Sequence, residues 1–141
     1  MLEFTISEYK ARVQKTKEKM TEKGIDVLLV TDPANMNYLS GYNAWSYYTH
    51  QLLIVSLDKE EPIWIGRGID ETGAHHTTYL KPENIISYSD DYVQSETKHA
   101  MEFICEVIKS KNMDNKTIGL ELDNYFFTAQ NYIILTEKLP N

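Results

Sequence analysis

The stretch from Gly24 to Gly41 reads GIDVLLVTDPANMNYLSG, and its punctuation decides the fold class. Ile25 to Val30 is a mostly unbroken apolar run, whose length and β-branching suit a buried strand. Asp32-Pro33 breaks it. Ala34 to Leu39 then fits a short helical turn, closed by Ser40-Gly41. Upstream, Thr5-Ile6-Ser7-Glu8 has the spacing of a capping box, with Phe4 and Tyr9 at the staple positions. The helix this predicts runs to about Lys23, where Gly24 suits a left-handed stop. Its apolar stripe of Tyr9, Val13 and Met20 is thin. Downstream, Gln51 to Leu57 and Pro62 to Gly66 read as the two strands of a hairpin turning at Asp58-Lys59-Glu60-Glu61. Asp70 to Tyr79 fits a short helix and Asn84 to Ser89 a fourth strand. Ser95 is placed to cap a helix whose apolar Met101, Ile104, Cys105 and Ile108 follow helical spacing. Thr117 to Leu122 reads as a fifth strand and Phe127 to Leu139 as a last helix. A hairpin combined with β-α-β crossings implies one α/β domain over 1–141, a mixed sheet of about five or six strands flanked by helices.

Composition narrows the function classes. The chain has 141 residues, a net charge of −7 and one cysteine. An acidic balance argues against nonspecific nucleic-acid binding, which needs a basic footprint. A single cysteine excludes an internal disulfide framework and a multi-cysteine zinc site. No apolar run approaches the ~20 residues of a membrane-spanning helix, so no membrane partner is expected. The start, MLEFTISEYK, lacks the basic and apolar regions of a signal peptide. A cytoplasmic protein is the default expectation.

Most candidate chemistry has a plain structural reading. His75-His76 attracts attention, but adjacent residues do not share a helix face, and only Glu71 stands at i, i+4 to His75. A solvated surface pair is expected. Gly66-Arg67-Gly68 follows a strand, yet Glu71 occupies the third glycine position of a dinucleotide loop and would repel pyrophosphate. It reads as a flexible strand exit. Cys105 lies on an apolar stripe and is expected to be a buried hydrophobe with a raised pKa. His99 lies off that stripe and is expected to be solvated. Asn115-Lys116-Thr117 matches a glycosylation acceptor, which means nothing without a signal peptide. There is no Gly-x-Ser-x-Gly elbow and no P-loop. The acidic residues are scattered, so the sequence offers neither a complete catalytic set nor a metal site.

Asn43 to His50 differs. Trp45, Tyr47, Tyr48 and His50 crowd into a stretch too irregular for one strand face. Aromatics with polar tips suit wet pockets and interfaces, and equally a cluster sealing a sheet end. Arg67 is one of two arginines against twelve lysines. At a strand exit it is placed either to hold a carboxylate bidentately or to make an ordinary ion pair.

Gly24-Ile25-Asp26, then Asn35-Met36-Asn37-Tyr38-Leu39-Ser40-Gly41, then Ile118-Gly119-Leu120-Glu121 resemble, in that order, the signatures of the N-terminal domain of the creatinase/prolidase family, the pita-bread metallohydrolases. The likeness covers nearly the whole chain. It implies an α/β domain that holds no metal and no catalytic residue, followed by a catalytic domain whose carboxylates and histidine bind a manganese, zinc or cobalt pair, unless the protein is creatinase-like and metal-free. It also implies a homodimer in which the loop after Tyr38-Leu39-Ser40-Gly41 reaches toward the partner's active site. Trp45, Tyr47, Tyr48, His50 and Arg67 are the resulting pocket or interface candidates. The default activity is that of an Xaa-Pro dipeptidase or aminopeptidase. Asn43 to Gln51, Trp64 to Gly68 and Tyr92 to Ser95 are also similar to an ectoine hydrolase-like branch that opens a cyclic amidine. The substrate is then a small peptide or another small C–N compound. A stand-alone binding or oligomerisation module is the other class. A reading frame that continues past Asn141 with the metal ligands supports the first reading, and a stop there the second.

Overall fold

The computed structural model describes residues 2–140; the chain end at Asn141 lies outside them. Five strands form one sheet in the order β4-β3-β2-β1-β5, at the lower bound of the sequence expectation. They are β1 (Val27–Val30), β2 (Leu52–Ser56), β3 (Ile63–Arg67), β4 (Ile85–Tyr88) and β5 (Ile118–Leu120). The hairpin pairs β2 with β3 antiparallel, and β1 also runs antiparallel to β2. β3 with β4 and β1 with β5 are parallel. The helices are α1 (Ile6–Glu22), α2 (Pro33–Ser40), α3 (Glu71–Thr77), α4 (Ala100–Ser110) and α5 (Ala129–Lys138).

The central strands are buried on both faces, which is why they read as unbroken apolar runs rather than alternating ones. Successive side chains nevertheless go to opposite cores. Leu52 and Ile54 of β2, with Ile63 and Ile65 of β3, meet Met101, Ile104 and Ile108 of α4 and Ile134 and Leu135 of α5. Leu53, Val55 and Trp64 face Val13 and Met20 of α1, Met36 and Leu39 of α2 and Ala74 of α3. Gly66 is not a flexible exit. It is a buried position in β3, and a Cβ there would collide with the Trp64 ring, so the glycine makes room for the indole.

Helix ends follow their caps, with three corrections. At α1, Thr5 Oγ1 accepts the Glu8 N–H at 3.2 Å, and Phe4 packs edge-on to Tyr9 at 6.1 Å. The Glu8 carboxylate turns to Arg12 Nε at 3.0 Å rather than back to Thr5, because a charged partner stands one turn on. Ser95 does not cap α4. Its hydroxyl accepts from the amides of Thr97 and Lys98 at 3.2 and 3.1 Å and closes a separate turn. His99 is the cap: its Nδ1 accepts the Met101 N–H at 3.1 Å, while Glu102 accepts the His99 N–H at 3.0 Å. His99 is therefore half-buried rather than solvated. α5 starts two residues later than expected, after Thr128, whose hydroxyl accepts the Asn131 N–H at 3.2 Å. Cys105 is buried, and burial pushes its thiol up to about 11.

Candidate functional site

The strand registers bring Val30 of β1 beside Leu53, Leu52 beside Ile65, and Arg67 beside Tyr88. The carboxyl ends of β1, β3, β4 and β5 therefore lie together with the start of β2. Ligand crevices in α/β sheets form at such ends. Residues 42–51 cross this end before entering β2.

The sequence signatures build the platform beneath that loop. Asp32 caps α2, its Oδ1 accepting from the amides of Ala34 and Asn35 at 2.9 and 3.1 Å. Pro33 fills the first turn, where no amide hydrogen is needed. Glu121, at the end of β5, accepts from the amides of Thr31 and Asp32 at 2.6 and 3.2 Å and from Asn35 Nδ2 at 2.6 Å. The Asp-Pro-Ala-Asn turn and the Ile-Gly-Leu-Glu strand thus lock together across the sheet. Gly41 ends α2 with a φ of 83°, where L side chains are strained. A Cβ there would stand 2.8 Å from the Thr77 carbonyl oxygen.

Above the platform the loop separates two clefts. The first, about 220 Å³, lies between the loop, α2 and residues 125–128. The second, about 150 Å³, lies between the loop and residues 92–100. Tyr48, Thr49 and His50 line both and form the partition. Tyr47 lines the first cleft only and is 86% exposed. Trp45 lines neither; it stands outside, edge-on to Tyr47 at 6.3 Å and to Phe126 at 6.4 Å. Arg67 also lines neither. Its Nε and Nη2 donate to the two carboxylate oxygens of Asp90 at 2.7 and 2.9 Å, and Nη1 donates to the Tyr48 hydroxyl at 3.2 Å. The bidentate grip is thus closed on this chain's own carboxylate, and Arg67 holds Tyr48 in place. Asp90 beside the guanidinium is held below its ordinary pKa.

His50 is the least conventional group. Burial, followed by the neighbouring His99, lowers its pKa to about 4, against a smaller opposing effect of a hydrogen bond to the Phe126 backbone. The His50 and His99 rings lie 5.0 Å apart. The Tyr88 hydroxyl donates to the His50 carbonyl at 2.6 Å, and Asn131 Nδ2 meets His50 Nδ1 at 3.3 Å. Sequence reading missed Tyr125, Phe126 and Asn131. Two aromatics just past a strand end were one available signal. The other was an asparagine on the same helical face as Ile134 and Leu135.

This arrangement supplies aromatic faces and neutral hydrogen-bonding groups, with no nucleophile set against a base. His75 and His76 are exposed, and His75 Nε2 lies 3.4 Å from Glu71. Among the described residues no group of three or more His, Cys, Asp or Glu could hold a metal ion. Among the same residues no helix is long and apolar enough to cross a membrane.

The Creatinase/Prolidase N-terminal domain model matches residues 12–141. An uncharacterized hydrolase/peptidase, y4tM, of Sinorhizobium fredii is 45% identical over 141 residues, covering 100% of this chain and 36% of that protein. The ectoine hydrolase of Halomonas elongata is 40% identical over 141 residues, covering 99% and 35%. The chain spans about a third of the length of these curated relatives. Among solved structures, a proline dipeptidase from Streptococcus pneumoniae superposes with a TM-score of 0.72 at 21% identity, over 92% of this chain and 86% of that one. The creatinase/prolidase N-terminal domain of an X-Pro dipeptidase from Streptococcus pyogenes gives 0.70 at 17%, over 94% and 90%. At such identities the solved structures speak for the fold alone.

Proposed function

This chain belongs to the creatinase/prolidase family as its N-terminal domain, and from that premise we propose that it forms one wall of the substrate pocket of a C–N hydrolase of the ectoine-hydrolase kind. The observation that carries the reading is the aromatic loop 42–51, held at the carboxyl ends of four strands and bounding a cleft of about 220 Å³. Tyr47, Tyr48 and His50 face the substrate, Trp45 supports them from outside, and Arg67 orients Tyr48. Catalysis belongs to a following domain, which carries the divalent pair (manganese, zinc or cobalt) that the family likeness implies. Full-length protein works as a homodimer in the cytoplasm, and this domain by itself turns nothing over.

Ectoine is favoured over an Xaa-Pro peptide because the ectoine hydrolase is 40% identical to this chain, whereas the proline dipeptidase from Streptococcus pneumoniae is 21% identical. Assaying full-length protein on ectoine and on Xaa-Pro dipeptides tests the choice. Ring opening of ectoine with little dipeptide cleavage is expected. Efficient cleavage of Xaa-Pro peptides without action on ectoine would restore the peptidase reading.

A further inference from the structure

A quarter of this chain is charged, yet none of the twelve residues lining the first cleft is Asp, Glu, Lys or Arg. Three charged groups nearby are committed elsewhere, and Asp32 and Asp123 line a separate pocket beyond Tyr125 and Phe126. Arg67 is closed on Asp90, Glu121 on the start of α2, and Asp70 accepts from Gln51 Nε2 at 2.9 Å. Only His50 could bring a charge into the cleft, and its surroundings oppose that. Asn131 is 0% exposed. Its Oδ1 receives the Thr128 hydroxyl at 2.9 Å, and its Nδ2 meets His50 Nδ1 at 3.3 Å. With Nδ2 as the donor of this contact, Nδ1 is its acceptor, which assigns the ring proton to Nε2. The other groups around His50 are the His99 ring, whose Nδ1 already accepts from Met101, the Tyr88 hydroxyl on its carbonyl, the Phe126 backbone, and Lys98 across the second cleft. None is a carboxylate that would favour an imidazolium.

We infer that Asn131 is a positioning residue that holds His50 as the neutral Nε2–H imidazole, so that the first cleft receives an uncharged, ring-sized part of a ligand and turns away ammonium and carboxylate groups. The volume suits one small ring, since a cavity of ~150 Å³ accommodates benzene. A charged group entering would lose water without gaining a counter-ion. The inference rests on the reading of this cleft as part of the substrate pocket. For an ectoine-like ring it assigns the cleft the uncharged edge and leaves the carboxylate and amidinium to other walls.

Two measurements on the 141-residue chain test it without any turnover. Long-range proton–nitrogen spectra are expected to show His50 as the Nε2–H tautomer, unprotonated from about pH 8 to about pH 5.5. Asn131→Asp, which sets an acceptor against Nδ1, is expected to raise its midpoint by about one pH unit or more. A wild-type Nδ1–H tautomer overturns the inference even if the variant does not fold, and so does an unmoved midpoint in a folded variant. Amide shifts at Thr49 to Gln51 are then followed with 2-pyrrolidinone, pyrrolidinium and cyclopentanecarboxylate, neutral, cationic and anionic rings of similar size. Saturable shifts with the neutral ring, at least several-fold tighter than with either ion, are expected. Equal or tighter binding of an ion, or no saturable binding by any of the three, overturns the neutral-cleft assignment. Because no substrate is turned over, either failure is separate from a failure of the substrate assay.

Discussion

The fold lowers the pKa of two histidines, His50 to about 4 and His99 through burial, against the opposing charge of Glu102. Between their unfolded value near 6.5 and these lowered values, the unfolded chain binds more protons than the native one. Stability is thus full above about pH 6.5 and falls as pH drops toward about 4. The urea midpoint is expected to decline between about pH 6.5 and pH 5, and His50→Gln should flatten that decline. A slope unchanged by the substitution would show that His50 is free to protonate. Glu121 makes a second single-residue prediction. Its oxygens accept two backbone amides and Asn35, and Glu121→Ala leaves them without a protein acceptor. A loss of about 1–3 kcal/mol is expected in chemical denaturation, with Glu121→Gln losing less. Gly41→Ala meets both a φ of 83° and a carbonyl oxygen 2.8 Å from the new Cβ. A loss above about 2 kcal/mol is expected there.

At the scale of elements, the strands were legible because burial on both faces writes itself as short apolar runs, from Val27-Leu28-Leu29-Val30 to Ile63-Trp64-Ile65. α2 was legible through its stops, Asp32-Pro33 in front and Gly41 behind. The start of α4 was not. A histidine as cap lies outside the usual set of Ser, Thr, Asp and Asn, and Ser95 offered a conventional alternative four residues earlier. Glu102, three residues beyond His99, was the signal that favoured the true start. Replacing Glu102 by Ala removes one half of that reciprocal cap, and a loss of about 0.5–2 kcal/mol is expected in thermal or urea unfolding. The candidate site was half legible. Its aromatic loop is contiguous in sequence, whereas Tyr125 and Phe126 reach the cleft, and Asn131 reaches His50, only because β5 pairs with β1. That parallel pairing joins segments some ninety residues apart, and no local pattern announces it.

On the scale of the whole molecule, the sheet serves as a rigid stage. Two cores clamp it, a hydrogen-bonded platform joins β5 to α2, and an aromatic loop projects from the end where parallel strands finish. The first cleft it borders has aromatic faces and neutral polar groups, the lining that the proposed pocket wall would present to a ligand. The direct test of the proposed wall is steady-state kinetics of the full-length protein with Tyr48→Ala and His50→Ala. A higher KM or a lower kcat in both variants, with the fold intact by circular dichroism, is the result this account predicts. Unchanged KM and kcat in both would contradict it.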